Sequence, residues 1–122
     1  MTTDNVNAGQ TADDIIASEV ARQDAMWGRS NERADSSKGQ LLDAGLAQAH
    51  ALYSRRNGLT TAFDNPPPCF PPNWSGFRDY GSDVANLAVA AAFIRQEMKR
   101  LIVAGADTTR KSRDPVAQPY GS

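Results

Sequence analysis

Apolar residues recur along this chain at helical rather than strand spacing, in three blocks separated by polar or proline-rich stretches. In the first block Ile16, Val20 and Trp27 fall on one stripe, with Ile15 and Met26 beside it. Thr11 stands where its hydroxyl can cap the backbone N–H of Asp14. Asp13 and Asp14 place negative charge on the positive end of the helix dipole, and Gly28 ends the pattern. The second block, Leu41, Leu42, Leu46, Ala49, Leu52 and Tyr53, follows a polar run from Arg29 to Ser37, where Ser37 with Gln40 forms a second capping box. It predicts a helix from about Lys38 to Arg56. Asn57-Gly58 closes it with a left-handed C-cap, and Arg55 and Arg56 face the negative dipole end. A third helix is predicted from Ser82 or Asp83 to Ala104, with Gly105 as its C-cap.

That third helix is apolar nearly all round. Val84, Leu87, Ala88, Ala91, Ile94, Met98, Leu101 and Ile102 make a wide face, and Val89, Ala90, Ala92 and Phe93 extend it behind the first half. Such a helix must be enclosed on more than one side, which two short partner helices cannot easily do. A homo-oligomer with the third helix at the subunit interface is therefore expected.

Between the second and third helices, from Leu59 to Gly81, no periodicity survives. Pro66, Pro67, Pro68, Pro71 and Pro72 remove backbone donors and fix φ, so neither a helix nor a central strand can run through. A connection of about 23 residues is long for a compact domain. Its aromatics, Phe63, Phe70, Trp74, Phe77 and Tyr80, argue that it is ordered. The fold class is thus all-α: three helices with a long Pro- and aromatic-rich loop between helices 2 and 3, oligomerising through helix 3. Residues 1–10 read as a disordered N-terminus, 11–105 as one domain, and 106–122 as a disordered tail.

Composition narrows the function classes. A chain of 122 residues suits one core. Thirteen basic against fourteen acidic side chains, a net charge of -1, supply no overall field toward DNA or an anionic membrane, so any anion site must be local. The single cysteine, Cys69, and single histidine, His50, rule out an intrachain disulfide and a Cys/His zinc set, and point to no cofactor. Residues Met1 to Gln10 lack the features of a signal peptide, and the run Val84 to Ile94 is too short to span a bilayer. A cytoplasmic location is expected.

The order of Glu19, Arg22-Gln23 and Trp27-Gly28, then Gly39-Gln40-Leu41 opening a helix that contains Tyr53, then a Pro-rich segment with Trp74, then an Ala-rich helix finishing Glu97 to Leu101, resembles a family of small uncharacterised phage and prophage proteins. The likeness spans about Ile15 to Leu101. That family carries acidic and histidine residues in the turn before its second helix; here Asn31, Glu32 and Asp35 remain and no histidine does, which weakens a metal site carried over from it. The resemblance implies a small accessory protein made inside a bacterial cell.

Three functional expectations follow. The loop aromatics Trp74, Phe77 and Tyr80 with Arg78, beside Arg55 and Arg56 at a helix end, are residue types that stack a nucleobase and hold a phosphate. Together with the oligomerising helix and the phage setting that the resemblance implies, they lead to the expectation of a non-catalytic sponge for a nucleotide or cyclic-nucleotide immune signal, bound at a subunit interface, an anti-defence role. The same aromatics could instead only cover the end of the helical bundle. The alternative function is a protein–protein interaction module that inhibits a host factor. Third is a MazG-like nucleotide pyrophosphohydrolase: Glu32 and Asp35 have the E-x-x-D spacing of such enzymes, but no E-x-x-E partner stands on either long helix. Cys69 between prolines and Phe70, with His50 as the only conceivable base, makes a weak nucleophile pair.

Overall fold

The computed structural model describes residues 10–28, 39–72 and 74–110. Among these residues it has three α-helices and no strand: α1 Ala12–Gln23, α2 Gln40–Arg56 and α3 Asp83–Val103. A π-helical turn, Asp24–Gly28, extends α1. The predicted capping box at Ser37 and the residues of both predicted disordered ends, up to 9 and beyond 110, lie outside the described residues.

The helix ends form as the sequence dictates. Thr11 Oγ1 accepts from the Asp14 backbone N–H while an Asp14 carboxylate oxygen accepts from the Thr11 N–H, each at 3.1 Å. Ser82 Oγ accepts from the Ala85 N–H at the start of α3. After α2 the Leu59 N–H donates to the Ser54 carbonyl and the Gly58 N–H to that of Arg55. After α3 the Ala106 N–H donates to Leu101 and the Gly105 N–H to Ile102. Both are Schellman closures, and they need the left-handed backbone that Gly58 and Gly105 adopt, φ 101° and 89°. α2 starts at Gln40, with Gly39, φ 74°, as its N-cap.

α3 is the central helix, with α2 against one flank and α1 against another. α2 runs antiparallel to it, since Gln48 meets Asn86 near one end of the contact while Gly45 meets Ala90 and Ile94 further along. The core lies on one side of this pair: Leu41, Ala44 and Ala47 of α2 and Val89 and Phe93 of α3, closed over by Phe70 and Trp74 of the loop. Cys69, Phe77 and Tyr80 pack around it. The loop aromatics pack on this core, with short turns in which the Phe70 N–H donates to the Pro67 carbonyl and the Trp74 N–H to that of Pro71.

The buried positions of α2 and α3 are mostly the small ones. In α2 the buried positions are chiefly Ala44, Gly45, Ala47, Gln48 and Ala51 with Leu41 and Leu52, whereas Leu42, Leu46 and Tyr53 are exposed. In α3 Asn86, Ala88 to Ala90, Ala92, Phe93 and Glu97 are buried, while Val84, Leu87, Ile94, Met98, Leu101 and Ile102 are exposed. Small side chains let the helix axes approach closely, so alanine and glycine occupy the contact line and the larger aliphatics are turned away. α1 buries only Gln23 completely; Ile15, Ile16 and Val20 are half-buried. The side chain of Trp27 lies outside the described residues. No helix among the described residues is long and apolar enough to cross a membrane.

Candidate functional site

The segment that leads into α3 is held by a lattice of side-chain amides. Asn86, fully buried on the first turn of α3, accepts on Oδ1 from Gln48 Nε2 and from the Tyr80 backbone N–H, both at 2.9 Å. Its Nδ2 donates to Asp79 Oδ1 at 3.0 Å. Gln48, also buried, donates to the Arg78 carbonyl at 2.8 Å. Asp79 accepts in addition from the Gly81 N–H and from Arg55, which also reaches Asp83. Residues 78–81 are therefore fixed to α2 and α3 through polar groups, each satisfied within the lattice.

The Asn86 amide and the Gly81 N–H, with the Arg55 guanidinium, hold the Asp79 carboxyl below its ordinary value. A carboxyl whose pKa is lower folded than unfolded stabilises the fold above its unfolded value of about 3.9 and loses that contribution as pH falls through the folded value. Thermal denaturation followed from pH 7 to pH 2 should show Asp79→Asn losing less stability than wild type below about pH 4. Parallel curves would show that Asp79 carries none of the acid sensitivity.

On the other side of this segment a cleft of about 870 Å³ opens between α1 and the start of α3. Ile15, Ser18, Glu19 and Arg22 of α1 form one wall, Ser82, Ala85 and Ala88 the other, and Arg78 and Tyr80 one end. The Tyr80 hydroxyl donates to the Gly76 carbonyl, which fixes the ring. Two guanidinium groups lie against that ring: Arg78 at 4.8 Å from its centroid and Arg22 at 5.3 Å. Arg22 is oriented by Glu19, one turn earlier, through Nε at 2.9 Å and a second bond from Nη2. Those bonds raise its pKa above the ordinary arginine value. The second anchor of this wall is the buried Gln23, which donates to Glu19 and to the Val89 carbonyl and accepts from Gln96. Planar cations fixed against an aromatic ring suit an anion that itself has a flat apolar part. Two further grooves, of about 480 and 560 Å³ between α1 and the last turns of α3, have Ala17 and Val20 in their walls and no aromatic residue.

The six residues predicted to share one site separate into three places. Arg78 and Tyr80 stand together in the cleft. Trp74 and Phe77 belong to the core: Trp74 is buried, 6.3 Å from the Phe93 ring, and Phe77 stacks on Phe63 at 5.8 Å and meets Phe70 at 5.6 Å. Arg55 is engaged by Asp79 and Asp83 and lies 4.9 Å over Phe63, while Arg56 is exposed. Sequence reasoning did not place Arg22 beside Arg78 and Tyr80, and the one signal it offered was its i,i+3 spacing from Glu19. His50 is exposed and Cys69 half-buried. Glu32 and Asp35 lie outside the described residues, and among the described residues no three His, Cys, Asp or Glu side chains gather to hold a metal ion. In comparisons with protein families, curated proteins and solved structures, the chain matches none.

Proposed function

We propose that this chain is a non-catalytic binding protein, homo-oligomeric through α3, that takes up a small nucleotide-like anion in the cleft between α1 and the start of α3. The observation that carries this is the placement of two guanidinium groups, Arg22 and Arg78, against one tyrosine ring beside the α3 N-terminus. The guanidinium fork of Arg78 matches phosphate oxygens, the aromatic and aliphatic walls accept a base or sugar, and the first turn of a helix favours negative charge. In the phage setting that the sequence resembles, such a protein withdraws a nucleotide immune signal in the bacterial cytoplasm.

Titration calorimetry against linear and cyclic nucleotides tests this. At least one should bind, and Arg78→Gln should weaken it about tenfold or more, the equivalent of one charge-assisted hydrogen bond of roughly 1.5–3 kcal/mol. Arg78 is exposed, so the variant should keep the wild-type circular dichroism. Binding indifferent to Arg78, or no binding to any nucleotide, overturns the assignment.

A second reading, an interaction module that inhibits a host factor, is favoured by the apolar residues left exposed on α2 and α3. It predicts a chain that is monomeric until the factor is added. The hydrolase reading gains no support from the described residues.

A further inference from the structure

The apolar residues that the core leaves out are not scattered. On α3 Val84, Leu87, Ala91, Ile94, Met98 and Leu101 recur at alternating intervals of three and four, the a/d spacing of a coiled-coil seam. On α2 Leu42, Leu46, Ala49 and Tyr53 do the same. At about 100° per residue each seam lies roughly a quarter-turn from the line along which Gly45 meets Ala90, and in the same rotational sense. In two antiparallel helices the same rotation leads to the same side of the pair. The two seams therefore form one face, on the side of the pair away from the loop and core, and its α3 edge at Val84, Arg95 and Met98 borders the grooves against α1.

Its large side chains are 39–66 % exposed. At roughly 90 Å² each they amount to on the order of 800 Å² per protomer, the usual share of a stable interface and more than a typical monomer shows. The rims of the face differ in charge. The α2 rim carries Asp43 and the α3 rim carries Arg95, and neither joins an ion pair among the described residues.

We propose that this face binds a second copy of the chain about a twofold axis parallel to the helices, giving a four-helix layer in which α2 of one protomer packs on α3 of the other. That axis keeps residues at their own height along the bundle. Asp43 is two residues before Gly45, and Arg95 follows Ile94, which Gly45 touches. Each Asp43 thereby faces the partner's Arg95 across the rim. The inference rests on the oligomeric part of the function proposed above, not on the ligand, and extends it by making α2 an equal half of the interface.

Sedimentation velocity across a concentration series tests it with Leu46→Asp on α2 and Leu87→Asp on α3, both exposed positions whose substitution should leave helicity unchanged. Wild type should be a dimer, and each variant should shift its dissociation constant upward at least 100-fold. A dimer broken by Leu87→Asp and untouched by Leu46→Asp overturns the shared face while keeping assembly through α3. A dimer indifferent to both, or a wild-type monomer, overturns assembly through α3 as well. Orientation is read separately in a Cys69→Ser background. Asp43→Cys together with Arg95→Cys should give a disulfide-linked dimer under mild oxidation, and either cysteine alone should not. A link formed by Asp43→Cys alone overturns the axis.

Discussion

Asn86→Leu should lower the free energy of unfolding by about 3 kcal/mol, although the replacement keeps the heavy-atom count and branching and adds apolar groups to a buried position. The Asn86 side chain is wholly buried and makes three hydrogen bonds, two accepted and one donated. Leucine leaves the Tyr80 N–H without its acceptor and takes one of two acceptors from the Gln48 amide. Orphaned buried donors cost roughly 1–3 kcal/mol each, whereas a gain in apolar burial at an already dry site is small. The loss should also be local. Hydrogen exchange at the Tyr80 amide should quicken far more than at Phe93, because the segment 78–81 is tied to the helices mainly through this lattice. A variant as stable as wild type by urea denaturation, with the Tyr80 amide still protected, would mean that aromatic packing alone positions the loop.

That lattice also marks where the sequence stops being informative. Helix ends were legible because each depends on residues within five positions: Thr11 with Asp14, Ser82 with Ala85, and the glycines at 58 and 105. The loop's two last site residues, Arg78 and Tyr80, stayed together because only Asp79 separates them. The orientation of each helix was not legible. The antiparallel pair meets through Gly45 and alanines, and which stripe faces inward is decided by how closely two backbones can approach. Buried polar residues were equally hidden. Gln48 and Asn86, 38 positions apart, meet only when the loop between them folds, and Gln23 needs Val89 and Gln96. The cleft shares that origin, since Arg22 reaches Tyr80 only when α1 docks on α3. Trp74 was legible as an aromatic in an unusual loop, but a side chain that can stack a base can equally fill a core, and here it meets Phe93.

Gly45→Val should separate α2 from α3 and cost about 3 kcal/mol or more, enough to leave a marginally stable domain partly unfolded at 37 °C. A Cβ at Gly45 would lie 2.9 Å from Ile94 Cγ1, 3.0 Å from the Ala90 carbonyl oxygen and 3.4 Å from Phe93 Cβ. The Ile94 methylene can turn aside, because that side chain is partly exposed. The Ala90 oxygen cannot, because it belongs to the backbone of the central helix. Valine adds two methyl groups in a crowded contact and has one strongly preferred rotamer in a helix, so it has little room to adapt. Gly45→Ala separates the two effects: its helix propensity gains about 1 kcal/mol, and the close approach to Ala90 opposes that gain. The alanine variant should therefore melt a few degrees below wild type and the valine variant far below it, a graded order in the midpoints of thermal unfolding. If alanine raises the midpoint, the helices have slack at this crossing, and the outward turn of Leu42, Leu46 and Tyr53 must then follow from what covers them rather than from the contact at Gly45.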